Sequence, residues 1–245
     1  MAHTKLSVNI NKYALLRNSR GHNRPDLLWA ADVCIAAGAH GITIHPRLDE
    51  RHIQFSDIVP LADHLRANHP TIELNIECEA APAILDRVYD VVPEQCTLVP
   101  VTPGEVTSDH GYSFPGDGDT LPPVVAKLKA LGIRVSIFMD ADPAPMAAAA
   151  ATGIDRVELY TGPYAWAWGT ERQDAETARM FAAARAAQAV GLDLNAGHDL
   201  DSANLAGLRD LPGLLEVSIG HAQICRALEV GTTQSVKELL ASLGW

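Results

Sequence analysis

Long apolar runs are missing from this sequence: no stretch approaches the ~20 consecutive apolar residues that a membrane-crossing helix needs. A secretory leader is missing as well, because the strand-like KLSVNI already begins at residue 5, with no charged start, apolar core and cleavage site before it. Both absences predict a soluble chain in the cytoplasm with no membrane partner. Cysteine is scarce and dispersed. Cys34, Cys78, Cys96 and Cys225 form no CxxC pair, which speaks against a zinc ribbon or a disulfide framework and leaves buried reduced thiols as the simpler account. Basic residues are too few for a nucleic-acid surface, with 19 Lys and Arg against 30 Asp and Glu and a formal net charge of -11. Only five lysines are present, and Lys12 alone lies at a strand end, so a Schiff-base aldolase is poorly supplied. No GxGxxG follows the first strand-like run, which removes the usual sign of a dinucleotide fold.

What is present is concentrated in GITIHPRLDERHI, residues 41–53. Ile42, Thr43 and Ile44 supply the β-branched surface of a short buried strand. The polarity then inverts into His45, Arg47, Arg51 and His52. A strand whose C-terminal end empties into imidazoles and guanidiniums is what a parallel α/β architecture offers an anionic ligand. Arg17, Arg20 and Arg24 add to this group, so an acidic chain carries a local anion trap near its start.

The rest of the chain alternates short apolar or β-branched runs with longer helical ones. Strands are expected at 6–10, 41–44, 72–76, 96–99, 134–139, 156–160, 193–196 and 215–219. A polar, arginine-rich loop follows the first strand and leads to a helix that starts near Pro25 and stops at Gly38. Further helices are expected at 56–68 with Ser56 as N-cap, at 83–91, 122–131, 143–151, 171–190 and 202–208, and after residue 220. The segment 101–120, with four glycines and two prolines, is too long for an ordinary connection and is expected to be a lid over a site. Eight strands each followed by a helix predict an α/β eightfold (β/α) TIM barrel with additional helices, and 245 residues match the roughly 250 of that fold. An open doubly wound sheet is the alternative. With 47% hydrophobic and 20% charged residues and no linker, the chain is expected to form a single barrel domain over residues 1–245.

In a barrel the C-terminal ends of all strands share one rim. That rim would gather Asn9, Asn11, His45, Arg47, Glu77, Thr107, Glu158, Thr161, Asn195, His198, Gly220 and His221. His45, His52, His198 and His221 belong to it, whereas His3, His22, His40, His64, His69 and His110 fall at surface or loop positions. Gly197 and Gly220 precede helix starts, where bare backbone N–H groups can approach an anion. Arg47 and Arg51 would make a second anion site from side chains. Two such sites imply two phosphorylated groups.

The motifs VNIN and LRNSRG at 8–21, GITIHPRLDERHI at 41–53, LNIE at 74–77, EVTSDHG at 105–111, VELYTGPYA at 157–165, LNAGHDL at 194–200 and EVSIGHA at 216–222 resemble those of the pyridoxine 5'-phosphate synthase family. That family closes the pyridine ring of vitamin B6. The resemblance implies an eightfold barrel with extra helices, a homo-oligomer that is commonly an octamer, and no metal or organic cofactor. The implied reaction condenses 1-deoxy-D-xylulose 5-phosphate with 3-amino-2-oxopropyl phosphate to pyridoxine 5'-phosphate, phosphate and water. By motif position, His45 and Glu77 correspond to proton acceptors, His198 to a proton donor and Glu158 to a transition-state stabiliser. Asn9, Arg20, Gly220 and His221 fall where the aminoketone phosphate is held, and Arg47, His52 and Thr107 where the deoxyxylulose phosphate is held. Three positions depart from the pattern. Asn11 and Lys12 stand where Asp-His is often found, with Lys12 free to contact phosphate itself, and Asp199 stands where Gly often follows the catalytic His and is expected to cap the next helix. Rival readings are a divalent-metal sugar-phosphate isomerase using His45, Glu77, Glu158 and His198, and a catalytically silent phosphate-binding barrel.

Overall fold

A computed structural model describes residues 3–102, 104, 105 and 107–245. Eight parallel strands close into a barrel in sequence order. They are β1 Lys5–Asn9, β2 Gly41–Ile44, β3 Glu73–Cys78, β4 Gln95–Leu98, β5 Arg134–Met139, β6 Arg156–Tyr160, β7 Asp193–Gly197 and β8 Leu214–Ile219. The closing pair is β1 with β8, in register from Lys5 opposite Glu216 to Val8 opposite Ile219, which rules out an open doubly wound sheet. No helix among the described residues is long and apolar enough to cross a membrane.

The strands are not uniformly apolar runs. Alternate residues face opposite sides of a strand, and one set, including Leu6, Val8, Ile42, Ile44, Leu74, Ile76, Val157 and Leu159, is buried in one core with helix residues such as Leu61, Leu65, Val88 and Val236. Each such side chain contributes roughly 1.5–3 kcal/mol when fully buried, so this shell between strands and helices holds the barrel shut. The other set is polar and crosses the interior. Ser7 Oγ meets Thr43 Oγ1 at 2.7 Å, Asn75 Nδ2 donates to Thr43 Oγ1 at 3.4 Å, and Thr97 Oγ1 donates to Asn75 Oδ1 at 3.1 Å. Gln95 Nε2 reaches from β4 to Glu216 Oε1 on β8 at 3.5 Å, and Arg156 Nη1 from β6 to Gln95 Oε1 at 3.4 Å. Bulky branched residues usually fill such an interior; here hydrogen-bonded polar groups do. Two residues further along each strand, the same parity delivers Asn9, His45, Glu77, Glu158, Gly197 and Ser218 to the mouth.

Ten α-helices surround the strands among the described residues. The first, α1 Asn11–Asn18, occupies what the sequence presents as an arginine-rich loop. Its polar composition hides a purpose: Arg17 is buried and donates through Nη1 and Nη2 to Asp57 Oδ1 and Oδ2 at 2.7 and 2.8 Å, tying α1 to the start of α3 Phe55–Asn68. Helix α2 Leu27–Ala36 starts after Asp26, whose carboxylate accepts from the N–H groups of Leu28 and Trp29. Ser56 is not the cap of α3, because the N-cap is Gln54, two residues earlier, which forms a capping box with Asp57. The others are α4 Pro82–Val91, α5 Pro122–Ala130, α6 Met146–Ala151, α7 Gly162–Ala167, α8 Gln173–Ala189, α9 His221–Val230 and α10 Thr232–Leu243. The expected helix at 202–208 is a single 3-10 turn, Leu205–Leu208, so β7 is followed by no α-helix of its own. At the N-terminal end of the barrel the Trp245 indole donates to the Thr4 carbonyl at 2.8 Å, and its ring lies 4.3 Å from that of His40.

Replacing Arg17 by Ala leaves the half-buried Asp57 carboxylate without its cation, and losing hydrogen bonds between charged groups costs about 1.5–3 kcal/mol. Urea unfolding should show that loss in the Arg17→Ala variant, with an unchanged slope.

Candidate active site

The mouth of the barrel is organised around Glu77. Its Oε2 accepts from Asn9 Nδ2 at 3.3 Å, its Oε1 from Ser218 Oγ at 3.3 Å, and His45 Nδ1 stands 3.6 Å from Oε2. These partners come from β8, β1 and the end of β2, so one carboxylate is held by three consecutive strands of the barrel. Asn9 Oδ1 also accepts from the backbone N–H of Asn11 at 3.0 Å, and Asn11 Oδ1 accepts from that of His45 at 2.9 Å. The Asn side chain thus orders the β2 rim, and as an amide it does so without adding a charge. Glu158 is 2% exposed, and neither its Oε2 nor His45 Nε2 has a partner among the described residues.

Burial sets the protonation states. It pushes the Glu77 carboxyl up to about 7, with the Ser218 and Asn9 hydrogen bonds pulling the other way. Glu158 is raised well above the usual carboxylate range by burial first, then by the charges of Glu77 and Glu216. His45 is driven well below the ordinary imidazole value by burial and by His52, Arg47, His198 and Arg51 around it. Burial, then Arg51, Lys12 and Arg47, bring His52 down to about 4. His198 is lowered by burial, with Asp199 and Glu105 opposing. Burial therefore favours neutral imidazoles and the acid form of Glu158, while Glu77 exchanges its proton near neutrality, as a general acid-base group does.

The glycines have a steric reason. A Cβ on Gly197 would fall 2.2 Å from Glu158 Oε1, and one on Gly220 would fall 2.9 Å from the Asn9 carbonyl oxygen. Beyond Gly197 the chain enters left-handed backbone at His198 (φ 80°) and Asp199 (φ 57°), conformations that side-chain-bearing residues hold only when surroundings fix them. Thr161 supplies one fixing contact, its hydroxyl donating to the carbonyls of Gly197 and His198. The His198 ring sits 5.0 Å from Phe138 and 5.5 Å from Tyr160. Asp199 does not cap the following turn. Asp201 does, accepting from Ala203 and Asn204, while Asp199 Oδ2 accepts from the Trp166 indole at 2.9 Å.

Arg47 and His52 are buried beside the rim, and Lys12 lies half-buried near His52 and His198. Arg47 Nη1 already faces a carboxylate, Glu105 Oε1 at 3.3 Å, and Arg51 Nη2 donates to the Glu105 carbonyl at 3.1 Å. Sequence reasoning missed Glu105, Ser218 and the pinning role of Thr161; strand parity, had it been followed, marks Ser218. Thr107 is exposed on the segment 101–120, and no described contact joins it to Arg47 or His52; residues 103 and 106 of that segment lie outside the described residues. His221, the first residue of α9, is exposed, with Nε2 3.6 Å from Cys225 Sγ. Arg20 is also exposed, lining an outer groove with Leu16, Ser19, Arg24 and Trp29. Of the histidines expected at surface or loop positions, His40, His64 and His69 are half-buried and bonded, His40 accepting from Leu6 N–H. Among the described residues, no three of His45, Glu77, Glu158 and His198 bring ligand atoms within 4.8 Å of one another, which weakens the isomerase alternative.

Residues 6–244 match the family described as pyridoxal phosphate biosynthesis protein PdxJ. The chain belongs to this family. It is 51% identical over 243 residues to a pyridoxine 5'-phosphate synthase of Albidiferax ferrireducens, covering 97% of this chain and 96% of that protein. It is 50% identical to one of Xanthomonas oryzae pv. oryzae, covering 96% and 94%. Solved structures confirm the barrel alone. A 3-keto-L-gulonate-6-phosphate decarboxylase from Vibrio cholerae superimposes with a TM-score of 0.67 at 12% identity over 99% of this chain and 98% of that one. A phosphoribosyl anthranilate isomerase from Thermus thermophilus gives 0.60 at 13% identity over 98% of both.

Because the Ser218 hydroxyl stabilises the ionised form of Glu77, the Ser218→Ala variant should titrate Glu77 at a higher pH than the parent, whose midpoint is about 7. Carboxyl 13C NMR reads both midpoints; an unchanged or lower value in the variant contradicts the arrangement.

Proposed function

We propose that this PdxJ-family chain is a pyridoxine 5'-phosphate synthase, joining 1-deoxy-D-xylulose 5-phosphate and 3-amino-2-oxopropyl phosphate within one catalytic barrel over residues 1–245. Beside family membership, the observation that carries the reading is the buried Glu77, exchanging its proton near neutrality against His45 at a mouth where burial also raises Glu158 well above the usual carboxylate range. One substrate brings its own amine, so its imine with the other's ketone needs neither a lysine nor an organic cofactor. What remains is a series of proton transfers, expulsion of phosphate and water, and an aldol-like closure to an aromatic ring.

The side chains divide that work. Glu77 and His45 accept protons from carbon and nitrogen, His198 returns one to a leaving oxygen, and neutral Glu158 donates a hydrogen bond to charge developing on oxygen. Arg47, His52 and Lys12, with Thr107 once segment 101–120 folds over them, hold the deoxyxylulose phosphate. Asn9, Gly220 and His221 hold the aminoketone phosphate at the start of α9, where unpaired backbone N–H groups favour an anion. Phosphate arriving at Arg47 replaces the Glu105 carboxylate there, so binding and movement of segment 101–120 go together, and closure keeps water from the imine. Arg20 joins the site only through a further rearrangement or another copy. Exposed Leu16 and Trp29 beside it, 52% and 50% accessible, support a homo-oligomer, an octamer by family resemblance. Four free thiols, three of them buried, fit a cytoplasmic location.

Glu77→Gln should lower ring formation by about 10²–10⁴-fold while both substrates still bind. Arg47→Ala should raise the KM for deoxyxylulose phosphate roughly 10- to 100-fold, the equivalent of losing a charged hydrogen bond of about 1.5–3 kcal/mol, with kcat less affected. In the parent, kcat/KM should climb as pH rises through about 7, because Glu77 works as a base only after losing its proton. Phosphate release and pyridoxine 5'-phosphate formation, followed with both ketones present, test all three. Binding without product would instead favour a silent phosphate-binding barrel.

A further inference from the structure

Away from the mouth, two histidines converge on one carboxylate. Asp32 in the middle of α2 accepts at a single oxygen, Oδ1, from His64 Nε2 at 2.7 Å and His69 Nε2 at 2.8 Å. His64 lies in the last turns of α3 and His69 is its C-cap residue, held by its own N–H to the Leu65 carbonyl. The three ligand atoms all lie within 4.8 Å of one another. The end of α3 leads into the N-terminal end of β3, so this group sits at the opposite end of the barrel from Glu77 and His45, and nothing in the proposed chemistry uses it.

We propose that Asp32, His64 and His69 form a site for a divalent transition cation, Zn²⁺ by its ligand set, which pins α2 to α3. Two imidazole nitrogens and one carboxylate oxygen suit Zn²⁺ and its neighbours, whereas Mg²⁺ and Ca²⁺ take oxygen ligands. Tetrahedral Zn²⁺ with bonds of about 2.0–2.2 Å sets neighbouring ligand atoms roughly 3.3–3.5 Å apart. The Asp32 oxygen therefore has to draw back by less than ~1 Å from each nitrogen to admit the ion, and its side chain, 44% accessible, has room to turn. The imidazoles are less exposed, at 20% and 26%, and both are carried by the end of α3, which packs against α2 in the core. The far nitrogen of His64 also has its partner: Asn68 Nδ2 stands 3.2 Å from Nδ1. Binding the metal at Nε2 moves the ring proton to Nδ1 and so turns the Asn68 amide, which also donates to the His64 carbonyl at 3.0 Å, away from the ring. With three side chains on the ion, the accessible edge takes water as the fourth ligand.

Calorimetric titration with Zn²⁺ tests this in a Cys225→Ser background, which removes the competing Cys225–His221 pair on α9. One site per chain is expected, weakened at least about tenfold in His64→Gln and in His69→Gln, as losses around metal ligands do. The nearly isosteric Asp32→Asn serves as a third variant if either change disturbs folding. Zn²⁺ should raise the Tm of the parent, because a ligand that binds only the folded state stabilises it, and should not raise that of the variants. Binding of unchanged affinity and stoichiometry in folded His64→Gln, His69→Gln and Asp32→Asn proteins, or no binding by the parent, overturns the proposal. Ring formation in these variants reports separately on the synthase reading, which does not depend on this site.

Discussion

Everything at the mouth follows from burying one carboxylate in a polar barrel and giving it too few hydrogen bonds to stay fully ionised. Glu77 has Asn9 and Ser218 as donors and a neutral His45 alongside, which is less than water would offer, so its proton affinity rises to about 7. The same lack of solvation raises Glu158 well above the usual carboxylate range and lowers the surrounding imidazoles. Arginines nearby could have reversed this by stabilising Glu77 as an anion. Instead Arg47 faces Glu105, and Arg17 is committed to Asp57.

Strand alternation connects this electrostatic state to the fold. The helix-facing set of strand residues forms the apolar shell, leaving the inward set free to be polar, and hydrogen bonds across the barrel satisfy Ser7, Thr43, Asn75, Thr97 and Gln95. The mouth residues continue those rows, so their positions are fixed by the same ladder that closes the barrel. Rigid placement of this kind suits a reaction with several proton transfers, because no group has to be repositioned for each one.

The barrel was legible because its strands carry β-branched apolar residues between turn signals; β2, β5 and β6 fall where their sequence puts them. Helix α1 was not, because Asn11, Lys12, Arg17 and Asn18 look like a solvated loop until Asp57, forty residues on, is seen to take the guanidinium. Rim residues at strand ends, such as His45 and Glu77, were legible from chain order and the family motifs together. Long-range contacts were not: that Glu105 faces Arg47, that Thr161 pins the His198 backbone, and that Asp199 holds Trp166 all depend on how loops fold back. Arg20 and Thr107 show the limit from the other side, since both match the family pattern yet stand exposed in the single chain.

The most direct measurement is a crystal structure of the protein with pyridoxine 5'-phosphate bound. The account predicts the pyridine ring within hydrogen-bonding reach of Glu77 and His45, with its phosphate against Gly220 and the first turn of α9. Product lodged elsewhere on the molecule, with Glu77 and His45 untouched, would contradict it.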